Sequence, residues 1–132
     1  MIKNNQLPKI HAIEDPRGSL KVIEYAKDFN FNIKRIFFLD DIKSPWKRGF
    51  HAHADLNQIL IMLRGSMTLV IESPPNHRKT YEIKKNNIIN IPGQAWREMI
   101  NIKPNSLICV LCDRVYSEDV VIKDYEEFKK RF

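Results

Sequence analysis

His51 and His53 stand two residues apart in the stretch KRGFHAHADLNQILIMLRGS, residues 47–66. On a strand, residues two apart share a face, so both imidazoles can enter one cavity. Such a pair can bind a metal ion, or stay free for proton chemistry, because imidazole titrates near neutrality. Arg48 adjoins the pair, and Arg97 lies further along in NIPGQAWREM. A free imidazole can take a proton from a carbon acid and return it, while arginines stabilise the enolate and bind an anionic substrate. A lone histidine on a strand is commonly a hydrogen-bonded core residue. Two on one face beside arginines favour chemistry.

The other motifs carry less. Cys109 and Cys112 form a C-x-x-C pair in SLICVLCD. The run reads as a strand, on which residues three apart point to opposite faces, and no second pair completes a zinc tetrahedron. Two buried thiols are expected. The net charge of +6 implies an anionic partner. The positive residues are scattered in short clusters, without a stripe of arginines and exposed aromatics, so a phosphorylated small molecule fits better than nucleic acid. The longest apolar run, Ile59 to Leu63, is too short to span a bilayer. The amino terminus has no apolar signal region, so no membrane partner and a cytoplasmic location are expected.

These residues must be positioned by short strands. Runs rich in Ile, Val, Phe and Leu recur at Leu20–Tyr25, Ile33–Leu39, Gln58–Arg64, Met67–Glu72, Arg78–Ile83, Ile88–Ile91 and Ser106–Leu111. Turn signals divide them, among them Asp15-Pro16-Arg17-Gly18, Lys43-Ser44-Pro45 and Ser73-Pro74-Pro75-Asn76. The run from Met67 to Ile83 reads as one hairpin. In SEDVVIKDYEEFKKRF the period changes: Val121, Tyr125, Phe128 and Phe132 form an amphipathic stripe, and Ser117 supplies a start signal. The expectation is one all-β domain over residues 1–132, a sandwich or barrel, with a C-terminal α-helix.

The series Gly49-x-His51-x-His53-x4-Gln58-x6-Gly65 resembles the first motif of the cupin superfamily, small jelly-roll β-barrels. Pro92-x-x-x-x-Arg97 stands where the second cupin motif has Pro-x-Gly followed by a histidine. Metal-binding cupins use three histidines and a carboxylate. Here Gln58 replaces the usual Glu, and Arg97 replaces the fourth ligand. A guanidinium repels a divalent cation and cannot coordinate it, so no metal is expected.

EDPRGSLKVIE, IKRIFF, RGFHAHADLNQILIMLRGS, PGQAWREM and VYSEDVVIKDYEEFKK occur in the order seen in the nucleotide-sugar 3,4-ketoisomerases, the WxcM-like cupins, and the chain resembles them over nearly its whole length. The resemblance implies a homodimer with exchanged strands and an isomerisation of dTDP-4-keto-6-deoxyglucose that uses no metal and no other cofactor. It implies a dTDP-3-keto-6-deoxyhexose product, which an aminotransferase converts to a 3-amino sugar for surface glycans such as the O-antigen of lipopolysaccharide. It makes His51 the base and His53 its partner or proton shuttle. Arg17, Arg35, Arg48 and Arg97 become candidates for the diphosphate and the enediolate, with Gln58 beside them. One departure stands out: where family members commonly carry a tyrosine acid, this chain has Phe37 and Phe38. Two other readings stay open, an inactive nucleotide-sugar-binding cupin and a metal-dependent cupin enzyme.

Overall fold

The computed structural model describes residues 7–43 and 47–132. The Ser44-Pro45 turn and the start of the amino-terminal segment lie outside the described residues. The strands are β1 (His11–Asp15), β2 (Gly18–Val22), β3 (Arg35–Leu39), β4 (Arg48–His53), β5 (Gln58–Arg64) and β6 (Met67–Ser73). They continue with β7 (His77–Ile83), β8 (Ile88–Ile91), β9 (Trp96–Ile100), β10 (Leu107–Cys112) and the short β11 (Val121–Ile122), before helix α1 (Tyr125–Arg131). Two antiparallel sheets result, in the orders β3-β10-β5-β8 and β11-β4-β9-β6-β7, with β1-β2 as a separate hairpin. Mostly β with one C-terminal helix, this is the cupin-like architecture expected.

The core lies between the two sheets, where Leu60, Met62, Leu69, Ile83 and Ile108 are fully enclosed. Ile59, Ile61, Cys109 and Leu111 face a second cluster behind the four-stranded sheet. Cys112 joins the first cluster and Cys109 the second, so the two free thiols are buried on opposite faces as read. The hairpin from β6 to β7 forms in the expected place, with Ser73 opposite His77.

Strands β1, β4, β9 and β11 are not among the apolar runs; β4 is the strand read from the histidine pair, and β11 falls in the stretch read as helix. β1 is an exposed ribbon with little to bury. β9 reads Trp-Arg-Glu-Met-Ile, in which alternation fails because both faces are covered: Trp96 packs under α1 and Arg97 enters the cavity. The helix also starts later than expected. Ser117 sits in a short 3-10 turn, Tyr116–Glu118, and Val121–Ile122 pairs as a strand with His53 and Ala52. The true N-cap is Asp124, whose carboxylate accepts from the Glu126 and Glu127 amides at 2.8 and 3.3 Å. Such a cap contributes about 1 kcal/mol. Tyr125, Phe128 and Phe132 keep their stripe, while Val121 belongs to the sheet and Ile122 supplies the buried contact.

Candidate active site

A cavity of about 410 Å³ opens between the sheets. A bulge in β4 builds one wall. Strand pairing slips between Gly49 and His51, with Gly49 at φ +83° and Phe50 at φ +56°. Arg48 and His51 are three apart, so regular pleating would send them to opposite faces. The extra residue restores Arg48 to the cavity side, beside His51 and His53. A Cβ at Gly49 would meet the Arg97 carbonyl oxygen at 3.0 Å, so this close approach of β4 to β9 needs a glycine. His51 is then directly opposite Arg97 on β9.

The imidazoles touch, Nε2 to Nε2, at 2.9 Å. His53 Nδ1 lies 2.6 Å from Asp119 Oδ1, and Arg35 Nη2 donates to Asp119 Oδ2 at 3.3 Å. An ionised carboxylate only accepts, so Asp119 holds the proton of His53 on Nδ1 and turns Nε2 towards His51. The three side chains form a line along which a proton and its charge can move. Burial keeps both rings neutral: it lowers His51, and it brings His53 down to about 4, with repulsion from Arg97 adding to burial and Asp119 opposing.

Arg97 is 1% exposed and contacts no carboxylate among the described residues. Its Nη1 donates to Gln58 Oε1 and its Nη2 to the Ala95 carbonyl at 3.0 Å, while Nε has no partner. Burial depresses it to about 10, which leaves it cationic at neutral pH. Gln58 explains how the charge stays available: a glutamate there would form an ion pair, whereas the amide supplies one hydrogen bond and no charge. The site therefore holds a buried cation beside two neutral bases, the arrangement that stabilises an oxyanion formed by proton removal.

The structure brings His51, His53, Arg35, Arg48, Gln58 and Arg97 to this cavity. Arg17 is the exception: it sits at the β1-β2 turn, its side chain is 91% exposed, and its partner is Asp15 at 2.8 Å. Within one chain it stands outside the cavity. Phe37 lines the cavity, whereas Phe38 points the other way and is 58% exposed. Of the two residues read against the family tyrosine, only Phe37 faces the chemistry. Asp119 was missed because its segment reads as the first turn of a helix. The recurrence of Val-Val-Ile before a second start signal at Asp124 could have separated the two elements. Among the described residues, no three His, Cys, Asp or Glu side chains are grouped as a metal site would require.

Residues 3–132 match the family model described as FdtA: WxcM-like, C-terminal. The chain is 34% identical over 127 residues to the TDP-4-oxo-6-deoxy-alpha-D-glucose-3,4-oxoisomerase of Aneurinibacillus thermoaerophilus, covering 96% of this chain and 91% of that one. Among solved structures, a 3,4-ketoisomerase from Helicobacter canadensis is 36% identical with a TM-score of 0.80, covering 93% and 92% of the two chains. The sugar 3,4-ketoisomerase QdtA from Thermoanaerobacterium thermosaccharolyticum, solved in complex with TDP, is 30% identical with a TM-score of 0.82, covering 95% and 91%. With the family model spanning all but the first two residues, the chain belongs to the FdtA, WxcM-like family.

Proposed function

We propose that this chain is a sugar-nucleotide 3,4-ketoisomerase acting on dTDP-4-keto-6-deoxy-D-glucose through an enediolate. The observation that carries the reading is the line His51–His53–Asp119 facing the buried Arg97 across one cavity. The C3 hydrogen is acidic because it adjoins the C4 ketone, and a neutral imidazole suffices to remove it. His51 acts as the base. His53 shares the proton, and Asp119 offsets the positive charge that results. Arg97 stabilises the enediolate oxygen, with Gln58 holding its guanidinium in place. Arg35 and Arg48, which line the same cavity, bind the diphosphate in this reading.

No metal is needed for this chemistry, and the donor set disfavours one. The amide oxygen of Gln58 is already engaged by Arg97, whose charge would repel a divalent cation. Residues 1–132 act as a single cupin domain in this reading, without nucleic acid as partner. No described helix is long and apolar enough to cross a membrane, and a cytoplasmic location goes with the substrate class. The product supplies a 3-amino-3,6-dideoxy sugar for surface glycans. Two copies exchange strands in a homodimer. What supports this is the β1-β2 hairpin, which pairs with no other described strand and exposes Ile13 and Leu20, while edge strand β3 exposes Ile36 and Phe38. An exchanged hairpin would carry Arg17 to the other copy.

The test is incubation with dTDP-4-keto-6-deoxyglucose in deuterium oxide, followed by NMR. The expected result is loss of the C3 hydrogen signal and appearance of a 3-keto sugar, unaffected by chelator. Binding of the nucleotide sugar without exchange or product would move the case to a binding protein. Activity lost to chelator and restored by one metal would overturn the metal-free mechanism.

A further inference from the structure

The two thiols of the C-x-x-C pair take no part in the site described so far, and their surroundings differ. Cys109 is packed among Ile59, Ile61 and Leu111 behind the four-stranded sheet. Cys112 is fully enclosed on the inner face, at the centre of a row that crosses three strands. The register puts it directly opposite Arg35 of β3 on one side and Gln58 of β5 on the other. Side chains directly opposite on an antiparallel pair lie within reach of each other. Both of these neighbours line the cavity, and Cys112 lies behind them.

The Cys112 sulfur accepts from Gln58 Nε2 at 3.4 Å, while Gln58 Oε1 accepts from Arg97 Nη1. The amide thus bridges the two sheets, with the thiol at one end and the guanidinium at the other. Its orientation follows from the donors present. A guanidinium only donates, so an NH2 turned towards Arg97 would set donor against donor. The NH2 must find its acceptor on the far side, and among the described residues the sulfur is the one it has. A glutamine side chain has several rotatable bonds, so this second anchor restricts it before any ligand arrives.

We propose that Cys112 is a positioning residue of the isomerisation: its sulfur fixes the Gln58 amide, and the amide fixes the Arg97 guanidinium for the oxyanion. Cys112 acts only through Gln58, and no bond of the thiol forms or breaks. The proposal rests on the ketoisomerase reading and on the place of Arg97 in it. Sulfur is a weak acceptor, so the effect on rate is modest.

The test measures kcat and KM with dTDP-4-keto-6-deoxyglucose, detecting the 3-keto product by NMR, below the thermal transition of each variant. Cys112→Ala and Cys112→Val both remove the acceptor, the first leaving a gap and the second filling it. Each should lower kcat about fivefold, the order of one lost hydrogen bond, with KM nearly unchanged. Cys112→Ser keeps an acceptor on the same Cβ and should stay within about twofold of wild type. Cys109→Ala, on the opposite face, should leave kcat unchanged. In a Gln58→Ala background, Cys112→Ala should have no further effect, because the amide through which it acts is gone. An unchanged kcat in Cys112→Ala, or the same fold loss with and without Gln58, would overturn the proposal and leave the ketoisomerase reading standing. Absence of any 3-keto product from the wild-type protein would overturn that reading, and the proposal with it.

Discussion

Strands β6 and β9 carry two buried charges on opposite faces of one sheet, and the difference between them separates structure from chemistry. On the outer face, Glu72 is 2% exposed and opposite Trp96 in the register. It accepts from Tyr125 Oη at 2.8 Å, from Arg78 at 3.0 Å and from Lys129 at 3.2 Å. Those bonds tie α1 to the sheet, and they hold the carboxyl below its usual range against the opposing effect of burial. On the inner face, Arg97 is opposite Ile71 and, among the described residues, has two neutral acceptors, an unpartnered Nε and no carboxylate in contact. Burying a charge is costly unless it is paired. The fold meets that requirement at Glu72 and leaves it unmet at Arg97 among the described residues, which supports our proposal that the second charge serves a ligand.

The strongest way to break this comparison is at the base. His51→Asn keeps a polar side chain on β4 but cannot take a proton, and turnover should fall about 10³-fold with TDP binding retained. A rate near wild type in steady-state assays would remove His51 from the mechanism. The two buried charges then give opposite results. Arg97→Met should lower turnover about 10²-fold while chemical denaturation shows stability within about 1 kcal/mol of wild type, since a buried ion replaced by an apolar group is near neutral. Glu72→Ala should do the reverse, losing about 2 kcal/mol of stability with turnover preserved. Equal effects of the two substitutions on both readouts would erase the distinction.

Asp119→Asn should cost less, about 10- to 100-fold in kcat, because the amide still contacts His53 but no longer fixes its tautomer or offsets its charge. Its KM should change little if Asp119 acts only through His53. A loss confined to KM would instead place Asp119 in substrate binding.

Much of this was legible in the residues, and what was not has physical causes. Period-2 alternation exposes strands with one wet face, so the long central runs and the β6-β7 hairpin could be read directly. It fails at β9, where the inward position is filled by a buried arginine that serves the cavity. The histidines declared themselves by spacing, yet the bulge that returns Arg48 to their side depends on backbone angles at Gly49 and Phe50 that no motif spells out. Asp119 was hidden because its contact with His53 spans 66 residues of sequence, and it sits between a 3-10 turn and a two-residue strand rather than in a long element. Arg17 was legible only by its type. Its type suits a diphosphate, but its place at an exposed hairpin tip is a matter of topology.

The smallest effect is the most discriminating, because it has a sign. The base must be neutral to act, and burial lowers both imidazoles from 6.5, His53 to about 4. The acid limb of kcat/KM, which reports the free enzyme, should therefore lie below pH 6.5. Arg97 disfavours the protonated rings and Asp119 favours them. Removing the cation in Arg97→Met should move the limb up towards 6.5, and removing the carboxylate charge in Asp119→Asn should move it further down. Both rates can be measured as profiles even when their maxima are low. Shifts in the same direction would mean that the substitutions act by loosening the cavity. Opposite shifts would show that His51 and His53 titrate between these two charges, with the buried cation held on the chemical side of the sheet.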